Sequence, residues 1–308
     1  MDAQYRHMVA ERAGIGATGH ITQATRLNFT SLTTTLPMVI VVRRGRKVIQ
    51  APNYAFELEA GEAIAIAQGQ VFDFENIPAP DGDYEARWLA GWLAGRQSQA
   101  GVAGYVAGFP VPEVVQGINA FTLGMRAANP KAEVRVVWLN AWFDPPRERD
   151  AAMSLFNQDV DVIAFHTGST AVMAAAQERG KMAVAYHSDM RKAGPDAQIV
   201  AVTHQWGAYY TQRARAALDG SWKSGNVWGG VKEGMIRVGE FGARVPKAVQ
   251  DEVLARQRDI ASGKLHPFTG PIADNEGKAV LPAGAHMTDA QILSMNFLVS
   301  GVQGKASK

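Results

Sequence analysis

The stretch DVDVIAFHTGSTAVMAAAQERGKMAVAYHS, Asp159 to Ser188, decides the fold. Asp159 to Thr167 has a continuous apolar centre, the pattern of a strand covered on both faces in a parallel sheet. Thr170 to Arg179 has helical composition and is closed by Gly180. Lys181 to Ser188 is a second apolar strand. Strand, helix and strand joined by short connections make a βαβ unit, whose crossover is right-handed.

The same rhythm extends upstream. Val102 to Phe109 is a strand, Pro112 to Ala128 a helix, Ala132 to Asn140 an alternating strand and Pro145 to Gln158 a helix. Before them, Glu85 to Ser98 sets Trp88, Leu89, Trp92 and Leu93 at helical spacing, a buried helix face. Downstream, Ile199 to Tyr210 adds a strand with a polar, aromatic end, and a helix runs to Asp219-Gly220. Val227 to Phe241 reads as extended, Val245 to Gly263 as an amphipathic helix, and the turn Asp274-Asn275-Glu276-Gly277 as part of a late hairpin. The fold class is therefore α/β with a doubly wound parallel sheet.

Such a sheet places every strand's carboxyl end on one edge, where ligands bind. The residues there are Phe109-Pro110, Asn140-Ala141-Trp142, His166-Thr167-Gly168-Ser169, His187-Ser188-Asp189 and His204 to Trp206. Hydroxyls and backbone N–H groups at a helix start can receive polar ligand atoms, although Thr167 or Ser169 could equally cap the helix.

Before Tyr84 the rhythm is different. Leu36 to Val42 is β-branched, RRGRK at 43–47 reads as a charged turn between strands, and short alternating stretches follow, broken by Pro52-Asn53, Gly61 and Gly69. Turn signals at this spacing predict a small barrel or sandwich over residues 1–84, with Ile77 to Tyr84 as its boundary.

The chain has 308 residues, enough for two domains with a sizeable core. Its 31 basic and 29 acidic residues leave a net charge of +2, too balanced to point to nucleic acid as the main partner. There is no cysteine, which excludes disulfides, thiolate metal sites and cysteine nucleophiles. The seven histidines form no HxH or HExxH pattern, Ser169 lies in no GxSxG elbow, and no phosphate-binding GxxxxGK[ST] loop occurs. No catalytic residue, metal or cofactor is expected. The opening MDAQYRHMVAERAGIGATGH carries Asp2, Arg6, Glu11 and Arg12 and is not a signal peptide, so the sequence as written is expected to stay in the cytoplasm.

From Glu85 to the C-terminus the chain resembles the basic membrane protein family, the purine-nucleoside-type substrate-binding proteins of ABC transporters. The motifs are YEARWLAGWLAG, GYVAGFPVPEVVQGINAFTLGMRAANP, VVWLNAWFDPPRERDAA, DVIAFHTGSTAVMAAAQERG, HSDM, HQWGAYYTQRARAALDGSW, WGGVKEGM, HPFTGPI and MNFLVSGVQG. The resemblance implies a type 1 periplasmic-binding-protein fold whose first lobe is largely missing here. It also implies a non-catalytic solute-binding role for a purine base or nucleoside-like ligand, an ABC permease as partner and a place at the periplasm or cell-envelope surface.

In the family an aromatic in the motif holding Trp142 stacks on the purine. His166, Thr167, Ser169, His187, Ser188, Asp189, His204 and Trp206 fall on its ligand-facing edges. Many members carry an acidic residue where this chain has His187, a departure that weakens the case for ribose and leaves a free base or another small solute.

Residues 1–84, through TTLPMVIVVRRGRKVIQ and LEAGEAIAIAQGQVFDFENIPAPDGDYEA, resemble the N-terminal cupin-like effector domain of AraC-type transcription regulators. The two resemblances meet at Tyr84-Glu85-Ala86. The alternatives to solute capture are thus a ligand-sensing regulatory domain without its DNA-binding part, or a non-functional hybrid.

Overall fold

A computed structural model describes residues 6–12, 16–22, 27–33, 38–41, 46–51, 54–59, 63–67, 71–77, 82–222 and 229–305. The chain forms two compact units: Met1–Pro80 with Tyr210–Trp228, and Asp81–Tyr209 with Gly229–Lys308.

Among the described residues, the first unit contains eight strands: β1 (Arg6–Arg12), β2 (Gly16–Thr22), β3 (Leu27–Thr33), β4 (Met38–Val41), β5 (Arg46–Ala51), β6 (Tyr54–Glu59), β7 (Ala63–Ile66) and β8 (Val71–Ile77). β1 and β2 pair antiparallel, β3-β8-β5-β6 form one antiparallel sheet, and β4 pairs with β7. Ile49, Leu58 and Ile66 form a small core. The basic stretch at 43–47 lies largely outside the described residues. Among the described residues, the flanking strands β4 and β5 belong to different sheets.

The second unit opens with α1 (Asp83–Gln97) and alternates from there: β9 (Val102–Ala107), α2 (Pro112–Ala128), β10 (Glu133–Trp138), α3 (Pro145–Phe156), β11 (Val162–His166), α4 (Ala171–Glu178) and β12 (Met182–His187). β13 (Gln198–His204), α5 (Trp206–Asp219, of which residues 210–219 count with the first unit), β14 (Ile236–Gly239), α6 (Lys247–Ala261), β15 (Ile272–Ala273), β16 (Ala279–Leu281), α7 (Asp289–Leu293) and β17 (Val302–Gln303) follow. One sheet of seven strands runs β14-β13-β12-β11-β9-β10-β17. All its pairings are parallel except β13 with β14. The fold is thus α/β with a mixed, mostly parallel sheet. β14 is shorter than the extended stretch expected over 227–241, and a turn occupies residues 231–234.

Alternation along the strands sorts the two faces. Tyr105 of β9 packs edge-on against Phe121 of α2, with ring centroids 5.8 Å apart. Its neighbour Val106 and the registered Phe165 of β11 point the other way, into a core with Leu155 of α3 and Met173 of α4. The helix starts follow local chemistry. Pro112 and Pro145 occupy first-turn positions, where a missing N–H costs nothing, and the Asp144 side chain accepts a bond from the Arg147 N–H at 3.2 Å.

β9 lies between β11 and β10, so the direction of strand addition reverses once. Loops leaving β9 and β11 diverge to opposite faces, opening a crevice at their carboxyl ends.

Candidate functional site

The crevice is lined by aromatic rings in an arc along the sheet edge. Phe109 follows β9 and lies 5.0 Å from Trp142, ring centre to ring centre. Trp142 is 6.1 Å from His166, and His166 is 4.3 Å from Tyr186. Tyr186 meets His187 at 3.4 Å, His187 meets His204 at 4.7 Å, and His204 stacks on Trp206 at 5.5 Å with only 5° between the planes. Five adjacent parallel strands, β10-β9-β11-β12-β13, deliver these rings to one edge, with Trp142 reaching across from beyond β9 to lie between Phe109 and His166. Trp142, His166, His187, His204 and Trp206 are therefore brought together as expected.

Trp142 is half-buried and lies on the backbone of Gly108. A Cβ added at residue 108 would fall 2.6 Å from Trp142 Cε3, so the close seating of the indole requires glycine there. The Trp142 carbonyl accepts a bond from the Gly168 N–H at 2.7 Å, tying the loop after β10 to the loop after β11. Asn140 and His187 have φ of 52° and 65°, left-handed values unusual for side-chain-bearing residues. Both sit where a strand hands over to a site loop, and such local strain is typical of ligand-binding positions.

His166 is held in place from beneath. Its Nε2 shares a 2.7 Å hydrogen bond with the Tyr186 hydroxyl. The Arg87 guanidinium lies 3.8 Å over the Tyr186 ring and donates to the Phe165 carbonyl at 3.1 Å, while its Nε donates to Asp83 at 2.9 Å. Arg87 and Asp83 are fully buried in α1. Burial, reinforced by the Arg87 charge, pushes the His166 pKa well below its ordinary value, so the imidazole is neutral. Its Nδ1 is buried without a hydrogen-bond partner, leaving one polar atom at the centre of the arc for a ligand.

Other expected contacts have structural partners. The hydroxyls of Thr167 and Ser169 both donate to one oxygen of the buried Glu148, at 2.9 and 2.6 Å. Ser169 Oγ also accepts from the Ala171 N–H at 3.1 Å. These hydroxyls therefore fasten the loop after β11 to α3 and have spent their hydrogens on Glu148. Asp189 is clasped by Arg191, whose Nη2 donates at 2.6 Å, and by Gln198 at 3.0 Å; the Arg191 bonds hold its pKa down at about 2. Ser188 is exposed beside it. Sequence reasoning missed Arg87, Asp83, Tyr186 and Glu148 as supports. The usable signal was a charged pair four residues apart on the otherwise buried face of α1.

Residues 81–276 match the Bmp family, described as ABC transporter substrate-binding protein, PnrA-like. The chain belongs to that family. A purine-binding protein of Brucella abortus is 47% identical to this Bmp-family chain over 222 residues, 72% of this chain and 63% of the relative. A putative ABC transporter glucose-binding protein of Haloferax volcanii is 35% identical over 72% of this chain and 54% of its own length. The chain thus spans less than two thirds of either curated relative. A transcriptional activator of the comK gene from Bacillus halodurans has the same fold, with a TM-score of 0.55 and 22% identity over 61% of this chain and 66% of that one. An ABC transporter solute-binding protein of Conexibacter woesei gives 0.51 and 20%, over 60% and 63%. The family match begins at residue 81, so the AraC-type resemblance of the first unit remains an expectation from sequence.

Proposed function

We propose that this Bmp-family protein captures a flat, purine-like base at the carboxyl edge of its parallel sheet and serves an ABC permease at the cell envelope. The observation that carries this reading is the arc of rings from Phe109 to Trp206, centred on a neutral His166 whose Nδ1 lacks a partner. A π-surface with few charges suits an uncharged heterocycle. Trp142 is the stacking platform, and His166 supplies the polar contact. His187, His204 and Trp206 extend the surface, and the backbone around Thr167, Ser169, Ser188 and Asp189 forms the rim. The name of the Brucella relative points the same way.

Calorimetric titration with adenine, hypoxanthine, guanosine and glucose tests it. Purine binding is expected, and Trp142→Ala should weaken it by up to about a hundredfold, the worth of a base–aromatic stack of about 1–3 kcal/mol. Because Trp142 sits at a half-buried loop, the melting temperature should fall little. Glucose binding without purine binding, or an unchanged purine affinity in the folded variant, would overturn the proposal.

A further inference from the structure

A second recess lies on the α1–α2 side of the second unit, built from residues that the sheet-edge site does not use. Its volume is about 340 Å³, and its walls include Trp88, Leu123, Ala127, His266, Thr269 and His286. That volume falls at the lower end of the range for small-molecule pockets. Trp88 of α1 with Leu123 and Ala127 of α2 make an apolar floor.

The two histidines are mounted on paired backbone: Thr269 bridges to His286, the Met287 N–H donates to the Phe268 carbonyl at 3.1 Å, and the Gly270 N–H to Ala285 at 2.8 Å. Their rings are 5.2 Å apart. Their hydrogen bonds decide which nitrogen carries the proton. His266 Nδ1 accepts from the Phe268 N–H at 3.1 Å, so Nδ1 is a lone pair and Nε2 bears the hydrogen. Thr269 spends its single hydroxyl hydrogen on the His266 carbonyl at 2.7 Å. Towards His286 Nδ1, 2.9 Å away, it therefore accepts, which places a hydrogen on Nδ1 and makes the matching tautomer the one whose Nε2 is an acceptor. Burial lowers the His266 pKa, in keeping with a neutral ring. Lys264 at the rim is paired with Asp259 at 3.3 Å, so the recess makes no strong call for an anion.

We propose that this recess is a second small-molecule site, selective for a neutral planar ligand that carries an acceptor and a donor side by side, as an amide or lactam does, attached to an apolar ring. The ligand's carbonyl would accept from His266 Nε2–H, its N–H would donate to His286 Nε2, and its ring would lie against Trp88, Leu123 and Ala127.

The test uses benzamide and N,N-dimethylbenzamide, which share the ring and carbonyl but differ in the donor. The full chain, with isotope-labelled histidine, is titrated near pH 8. Benzamide is expected to move the His266 and His286 ring signals together, and the dimethyl analogue to bind at least about tenfold more weakly. His286→Phe keeps the bulk, removes the acceptor and should reduce benzamide affinity by a similar factor. Thr269→Val should redistribute the His286 ring proton between its nitrogens, visible in the nitrogen shifts of the free protein. Benzamide that leaves both rings unmoved at about 20 mM, or equal binding of the two amides, would overturn the proposal.

Discussion

At the residue scale, the site is held by groups whose charge states are set by burial. His166 has its pKa lowered in the folded protein, chiefly by desolvation. In the unfolded chain it takes up a proton near the ordinary value of 6.5. Below that pH the unfolded state binds a proton that the folded state refuses, so His166 costs stability as the solution is acidified. The slope approaches about 1.4 kcal/mol per pH unit. Glu85 acts in the opposite sense. Burial raises its carboxyl to about 7, so it costs stability as pH rises from 4.5 towards 7. A pH profile of the wild type alone mixes the two. His166→Gln isolates the first, because glutamine can keep a hydrogen bond to Tyr186 and does not titrate. The variant is expected to gain melting temperature relative to wild type as pH falls from about 7.5 to 5. A constant difference across that range would show that His166 takes a proton in the folded state.

At the element scale, α1 and α2 approach each other through glycine. A Cβ on Gly124 would sit 2.0 Å from the Trp88 carbonyl oxygen, and one on Gly91 would sit 1.9 Å from that of Phe121. These contacts are to backbone, so no side chain can swing away. Alanine is the better helix former by about 0.5–1 kcal/mol, but overpacking costs about 1–3 kcal/mol or more, so the clash wins. Gly124→Ala is expected to lower the melting temperature by several degrees, at roughly 2–4 °C per kcal/mol for a unit of this size. An unchanged or raised melting temperature would mean that the helices part at no cost. Because α1 carries Arg87 and Asp83, the same variant should also loosen the support under Tyr186 and His166.

At the scale of the whole molecule, the sheet was legible because its central strands are apolar, β10 alternates and the helices are periodic. Pro112 to Ala128 is a helix over the span that composition indicates, and the five parallel strands β9 to β13 deliver their polar, aromatic ends to one edge. Besides the buried supports Arg87, Asp83 and Tyr186, other features were not legible. β17 is two residues long and carries no pattern of its own, existing only because Val302 finds Val134. The roles of Thr167 and Ser169 depend on Glu148, some twenty residues away in sequence and brought near only by the packing of α3.

That edge also bounds the affinity. The groups proposed to face the ligand come from a single sheet edge of the second unit, so they would supply one aromatic stack of about 1–3 kcal/mol and a few hydrogen bonds of about 0.5–1.5 kcal/mol each. Association itself costs about 4 kcal/mol or more. The balance predicts purine dissociation constants in the micromolar range or weaker, about 8 kcal/mol of binding free energy at most. Calorimetry on the full chain checks this directly. A nanomolar constant would require several further kcal/mol, more than this edge can provide, and would mean that groups beyond it enclose the base.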